Sequence, residues 1–405
     1  MNKEFYMQSI GNKSVISRIV TILLVLYPMI SVYNSPVGTL CLADTMLIMV
    51  LPLAIIKLFS VKYVRINKIL LFFTVFVIAN FVIVMITITQ EPLRILRNQA
   101  HFALVLTILT IIVPNFFDGA FGIKLLCYSS YISSVYLLLQ IGCNHIFNVY
   151  LKAHVSFLQA NISENGHIRP FAFFSEPATF GFYNAVGLAT ILMIRPFEEK
   201  KNKVIAMITS LAMLLSLSTT AVALLVIIWI WYLFKSGKLC GKNQTIKKST
   251  ILIILIMVIL FIIADSKIHI IAFIYEHVVP VEGQKMAGGV SGRLGNIKSI
   301  GVDYSISQLS KIIGLGMIDL KAFIPGIARV YVYFGYIGCG VVGCIFLMLF
   351  QSAGSYGKLL LLLAISNSFF ADSIFGLAMF GYIQYVICDV SIANKNRICF
   401  NYKSV

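Results

Sequence analysis

The sequence predicts an all-α polytopic membrane protein with about twelve transmembrane helices and two large outward-facing loops that contain short helices. Three observations predict it. The 405 residues are 59% hydrophobic and only 12% charged, where a soluble domain carries roughly 25% charged residues. With a mean hydropathy of +0.93, such a chain has too little polar surface to stay wet. Apolar runs long enough to cross about 30 Å of hydrocarbon recur along the chain. Lys and Arg follow the segments between those runs. The net charge of +17 is therefore a topology signal facing anionic lipid rather than a nucleic-acid-binding face, and no nucleic-acid partner is expected. Residues 1–405 read as a single integral membrane domain.

The runs fall near residues 15–33, 38–58, 68–89, 98–115, 119–141, 176–194, 203–218, 220–234, 249–265, 327–350, 358–371 and 374–390. The first follows Lys13 and Arg18 as a signal peptide would. It is too long and has no small-x-small cleavage site before Tyr33, so it reads as a retained span. The second contains Asp44. A mid-bilayer carboxylate costs roughly 2.5–3.5 kcal/mol on insertion scales, so Asp44 is expected to face the bundle interior, with an Arg as candidate partner. The fourth carries Arg94, Arg97 and His101 along one face at its outer end. The sixth opens with Glu176-Pro177, a pairing suited to a helix N-terminus. The last two runs are short and read as a tight hairpin around Ala371-Asp372-Ser373 or as partly re-entrant.

Orientation follows from the basic residues. With the N-terminus inside, roughly two thirds of the 32 Lys and Arg fall in the short inner segments. Both termini are then cytoplasmic. Two outer loops stand out by length, 142–175 and 266–326. In the second, Ile268, Ile271, Ala272, Tyr275 and Val278 repeat at helical spacing, so Ser266 to Val279 reads as an interfacial helix. Ile306, Leu309, Ile312 and Ile313 indicate another short helix. Gly283, Gly288, Gly289 and Gly292 separate the two. No internal repeat is evident, which weighs against a transporter built from repeated halves.

Cysteine and histidine point to no metal. None of the eight Cys forms a Cys-x-x-Cys pair. His145, His154, His167, His269 and His277 fall in the outer loops at spacings that match no ligand motif. No metal and no cofactor are expected. Gly314-Leu315-Gly316 resembles a fragment of a phosphate loop but lacks the Lys and strand context.

The chemistry-bearing candidates are basic. Arg169 lies in His167-Ile168-Arg169-Pro170-Phe171-Ala172-Phe173-Phe174-Ser175-Glu176-Pro177, and Arg293 in Gly288-Gly289-Val290-Ser291-Gly292-Arg293-Leu294. A guanidinium grips phosphate oxygens in pairs, as an ammonium cannot. Two such loops suit an anionic, lipid-linked substrate and are expected to fold over one outward-open cavity. The bland alternative for each Arg is contact with lipid headgroups or loop carbonyls. Arg329, at the outer end of the tenth run, is either a snorkelling anchor or a further phosphate contact. Arg94, Arg97 and His101 either snorkel or guide substrate. Glu176 is either a helix cap or a general base for an acceptor hydroxyl, or a partner that orients Arg169.

Several segments in order give the chain a resemblance to the O-antigen and capsular polysaccharide repeat-unit polymerases (Wzy-type), within the O-antigen polymerase and ligase superfamily. They are Arg169-Pro170 through Glu176-Pro177, then Leu215-Ser216-Leu217-Ser218-Thr219-Thr220, Ser291-Gly292-Arg293, Ile313-Gly314-Leu315-Gly316 and Tyr333-Phe334-Gly335-Tyr336-Ile337-Gly338. The match covers roughly residues 165–345; before that it is topology only. The resemblance implies a bacterial plasma (inner) membrane enzyme of lipopolysaccharide or capsule synthesis. It implies transfer of a growing glycan from undecaprenyl diphosphate to the non-reducing end of a lipid-linked repeat unit, without metal or nucleotide sugar. Arg169 and Arg293 would be the functional arginines, with Glu176 as the further catalytic candidate and Arg329, Arg94, Arg97 and His101 as substrate-binding candidates. Expected partners are the undecaprenyl-diphosphate-linked oligosaccharide and membrane lipids, with a chain-length regulator and a flippase of the same pathway as candidates. The related O-antigen ligases carry a functional His shortly before the span equivalent to the tenth. Asp319 to Arg329 contains none, which favours a polymerase over a ligase. A flippase would distribute basic residues through many spans, whereas here they concentrate in loops and at span ends.

Overall fold

The computed structural model describes residues 14–35, 40–59, 64–87, 92–155, 158–160, 169–239, 307–318, 320, 324–370 and 382–389. These residues are mostly helical, and the only β-pairings among them are two isolated bridges, Tyr33 with Ala160 and Asn34 with Cys41. Among the described residues six helices are long and apolar enough to cross a membrane: Leu42–Phe59, Lys68–Thr87, Leu93–Phe116, Gly119–Phe147, Pro177–Ile194 and Gly326–Ser352. The expected ninth run, the Ser266 to Val279 helix, the four loop glycines, Arg293 and the Ala371-Asp372-Ser373 turn lie outside the described residues.

The chain forms two compact units, one of Met1–Leu51 with Asp118–Val278, the other of Pro52–Phe117 with Val279–Val405. The helices, in chain order, are α1 (Val15–Ile30), α2 (Leu42–Phe59), α3 (Lys68–Thr87), α4 (Pro92–Thr107), α5 (Gly119–Phe147), α6 (Pro177–Ile194), α7 (Glu199–Leu215), α8 (Thr219–Leu239), α9 (Gln308–Ile313), α10 (Gly326–Ser352) and α11 (Ser355–Phe370). A π turn, Ile108–Ile112, and the short helix Val113–Phe116 continue α4.

In the first unit α6 is central. Of its apolar window 72% is buried inside the protein, against 17% for α2. A helix buried on all sides needs internal partners for its polar groups, and α6 finds them on α5 and within itself. The sequence Ser129-Ser130-Tyr131-Ile132-Ser133-Ser134 lays four hydroxyls along the α5 face that meets it. Ser130 and Ser134 donate to Asn184 Oδ1 at 2.7 and 3.0 Å, and Ser133 divides its proton between that oxygen and the Ser130 carbonyl. Ser129 pairs with Tyr183. Asn184 Nδ2 returns a bond to Phe180 O at 2.9 Å, so this buried network is closed.

Local signals set the ends of α5. Asp118 caps its start by accepting from Phe121 N at 3.2 Å, and Asn148 ends it in the left-handed region at φ 52°. The helix therefore continues past residue 141, where the apolar run stops, and the loop expected from 142 starts at Asn148. Gly142–Phe147 stay helical because nothing before Asn148 breaks the ladder.

Asp44 is buried, as expected of a carboxylate that faces the interior. It occupies the first turn of α2 and accepts from Tyr27 OH at 2.6 Å, Cys41 Sγ at 3.0 Å and Cys41 N at 3.4 Å. A carboxylate at this position completes the helix N-terminus and suits its dipole.

In the second unit α10 is interrupted. Gly335 sits at φ 63°, ψ −161°, outside helical geometry. The break frees the carbonyls of Val332 and Tyr333, and Leu315 N and Gly316 N donate to them at 2.8 and 3.1 Å. The approach is backbone to backbone. A Cβ on Gly314, itself at φ 83°, would stand 2.2 Å from Tyr333 O, and one on Gly335 would stand 2.4 Å from Ile312 O. Only glycine fits either place. Asn80 Nδ2 and Asn98 Nδ2 hold the ends of this segment through Ile313 O and Met317 O, at 2.7 and 2.8 Å. Gly314-Leu315-Gly316 is thus not a phosphate loop, because its amides are spent within the protein, Gly314 N on Ser310 O at 2.8 Å and the other two on α10. At the far end of this unit Asp389 Oδ2 accepts from Gly357 N at 3.0 Å and caps the start of α11.

Candidate functional site

The first unit carries Arg169 on a segment held at many points. Phe171, Ala172 and Phe174 are almost completely buried, at 1%, 0% and 0% exposure. Phe174 N donates to Phe171 O at 3.1 Å and closes a tight turn, with Ala172 at φ 50°. That conformation costs a non-glycine residue roughly 1–2 kcal/mol, so tertiary contacts must hold it.

Those contacts come from three directions. Gln140, on α5, accepts from Ala172 N at 2.9 Å through Oε1 and donates to Leu151 O at 2.8 Å through Nε2. Tyr136, one turn earlier, lays its ring 4.8 Å from that of Phe173 and donates its hydroxyl to Lys152 O at 2.9 Å. The Phe174 ring packs 5.1 Å from Tyr183 and 5.8 Å from Phe180, both on α6. The third direction is the chain between α1 and α2. Asn34 N donates to Gln159 O at 2.8 Å, and Tyr33 OH accepts from Val155 N at 3.2 Å.

His154 links these layers. Its ring lies 6.0 Å from that of Tyr33 and 5.8 Å from that of Phe171, and it hydrogen-bonds the Phe174 backbone. Its Nε2 is enclosed and has no hydrogen-bond partner. Burial lowers its pKa, and the bond to Phe174 opposes this only in part. The imidazole is therefore held neutral.

Arg169, two residues before this turn, is half-buried and its Nε is shielded from water. A guanidinium in such a setting acts on an anion through a lower local dielectric than an exposed side chain does. Glu176 follows the turn as the N-cap of α6, with extended backbone at φ −157°. Its side chain is exposed and accepts from Thr179 Oγ1 at 3.3 Å. Both Arg169 and Glu176 thus belong to the first unit, flanking one buried turn.

The remaining described candidates belong to the second unit. Arg94 and Arg97 are exposed in the first turns of α4, and His101 is half-buried one turn further on. Arg97 Nε donates to Asn98 Oδ1 at 3.3 Å, and Asn98 in turn holds Met317 O. Arg329, in the first turn of α10, donates through Nε to Ile324 O at 3.1 Å.

Sequence reasoning missed Gln140, Tyr136 and Tyr33, and gave His154 no role. A signal existed for Gln140, since an amide inside an apolar helix needs a partner. Nothing in the sequence identifies that partner as Ala172. Among the described residues no three His, Cys, Asp or Glu side chains converge as a metal site would require. Compared with known families and with curated proteins, the chain matches no family model and no curated sequence.

Proposed function

We propose that this protein is a multi-pass bacterial plasma-membrane glycosyltransferase of the O-antigen polymerase kind, with cytoplasmic termini and about twelve spans. It transfers a growing glycan from undecaprenyl diphosphate to the non-reducing end of a lipid-linked repeat unit at the outer face. The observation that carries this reading is the buttressed Arg169 segment. An arginine needed only to anchor lipid headgroups has no use for a buried, strained and multiply tied turn beside it. A group that must meet a departing diphosphate does, because preorganised charge lowers the barrier most.

In this reading Arg169 binds the diphosphate and stabilises its developing charge. Arg293 supplies a second guanidinium. Glu176, exposed at the head of α6, accepts the proton of the attacking sugar hydroxyl. Arg94, Arg97, His101 and Arg329 are the further basic candidates for the lipid-linked substrate. The bond broken joins the anomeric carbon of the donor to the diphosphate, the bond formed joins that carbon to the acceptor hydroxyl oxygen, and undecaprenyl diphosphate leaves.

The test is glycan length on a gel. Purified protein in lipid nanodiscs receives one lipid-diphosphate-linked repeat unit. The wild type is expected to build a ladder, and Arg169→Ala to leave a single unit. A wild type that builds no ladder from a panel of matched units, or an Arg169→Ala variant that builds a normal one, overturns the reading.

A further inference from the structure

We infer that Gln140 is a positioning residue for Arg169, an assignment that rests on the polymerase reading and deepens it. The side chain is 1% exposed and lies near the end of α5. Its single amide makes two bonds of opposite sense. Nε2 donates to Leu151 O and Oε1 accepts from Ala172 N, so residues 21 positions apart are pinned to one point on a rigid helix. Leu151 opens the loop after α5, and Ala172 closes it before α6. The Phe171–Phe174 turn leaves the Ala172 amide unused within itself, since its closing bond runs from Phe174 N to Phe171 O. Gln140 takes that amide and so holds the left-handed residue three positions after Arg169. An amide of this length is the side chain that can donate to one strand of the loop and accept from the other at once.

This double bond makes a test with a chemical signature. Gln140→Met keeps the bulk and loses both bonds. Gln140→Glu keeps the shape. As a carboxylate it accepts from Ala172 N but repels Leu151 O; as a neutral acid it donates to Leu151 O and restores both contacts. The Glu variant must therefore recover as pH falls, while the Met variant must not.

The experiment uses full-length protein in nanodiscs and follows two readouts. The first is the elongation rate on the lipid-diphosphate-linked unit. Gln140→Met is expected to lower kcat by about 10²-fold with KM little changed, as displacement of a reacting group by about 1 Å does. Gln140→Glu is expected to match it at about pH 8 and to approach the wild-type rate near pH 5.5. The second readout is independent of activity. Phenylglyoxal modification of Arg169, mapped by mass spectrometry, should quicken several-fold in Gln140→Met and return towards the wild-type rate in Gln140→Glu at the lower pH. Thermal unfolding of each variant excludes global collapse. Wild-type kcat in Gln140→Met, or no acid recovery in Gln140→Glu, overturns the assignment while the polymerase reading stands. If the wild type elongates nothing, that reading fails, and the labelling alone decides whether Gln140 orients Arg169: unchanged labelling overturns it and acid-reversible labelling supports it.

Discussion

Two segments of this protein do the same mechanical job in opposite ways. Phe171–Phe174 in the first unit and Gly314–Gly316 in the second are non-helical stretches, each with positive-φ backbone and each docked against a helix of its own unit. The first is held by side chains: the Gln140 amide, the Tyr136 and His154 rings, and its own buried phenylalanines. Its left-handed residue is an alanine. The second is held chiefly by backbone on backbone, at distances that leave no room for a Cβ on Gly314 or Gly335. A side-chain clamp can be altered one group at a time and its load adjusted. A backbone clamp tolerates nothing. In the proposed function the segment that presents Arg169 is better served by the first kind, and a segment that mends a broken helix by the second.

The sharpest way to break this comparison is at the glycines. Gly314→Ala should cost more than about 3 kcal/mol, since it combines a clash with backbone and a forbidden φ. Loss of a cooperative thermal transition in detergent is the expected result. A near-native melting temperature would show that the second segment yields as readily as the first. Next in size are the arginines. Arg169→Ala should lower elongation by about 10²–10³-fold with unfolding unchanged. Arg293→Lys keeps the charge but loses the fork geometry, and most of the activity should go with it. Full activity in that variant would mean that point charge suffices.

A smaller effect is expected from pH. His154 has its pKa lowered by burial, so the unfolded chain takes up a proton more readily than the folded one. Stability contributed by the neutral ring is present above the ordinary imidazole range and is lost as pH falls through it, near pH 6.5 and below. Proteolytic nicking between α5 and α6 should rise on acidification in the wild type, and His154→Phe should flatten that dependence. The least change is expected from Ala172→Gly. Relief of the left-handed strain should raise stability by about 1 kcal/mol at most, offset by greater freedom in the unfolded chain. A melting temperature that falls by many degrees would mean that the alanine methyl is itself part of the packing.

Much of the helical layout was legible in the sequence because lipid imposes one rule. Every backbone amide inside the bilayer must be satisfied locally, so long apolar runs become helices. Pro177 after Glu176 marked the start of α6, and the run beginning at 68 matches the start of α3. The end of α5 was less legible, since Asn144 and His145 interrupted the apolar pattern without ending the helix. Arg169 was readable as a candidate from its chemistry alone. Its supports were not. Gln140, Tyr136 and His154 are ordinary residues whose role depends on which groups lie across from them. Asp44 shows the same limit: its presence in an apolar run was evident, while its place in the first turn, bonded to Tyr27 and Cys41, was not.

By itself the sequence determined that this is a helical membrane protein, which runs are apolar and which residues bring fixed positive charge. Those are properties of composition and period, and they survive without knowledge of any long-range contact. Only the tertiary structure decided that Ala172 adopts a left-handed turn, that one amide on α5 holds both ends of a loop, and that the carbonyls freed at Gly335 are met by the chain at Leu315 and Gly316. The physical reason is the short range and directionality of hydrogen bonds. A donor and acceptor must meet within about 3 Å, and residues far apart in sequence meet only when the whole packing brings them there.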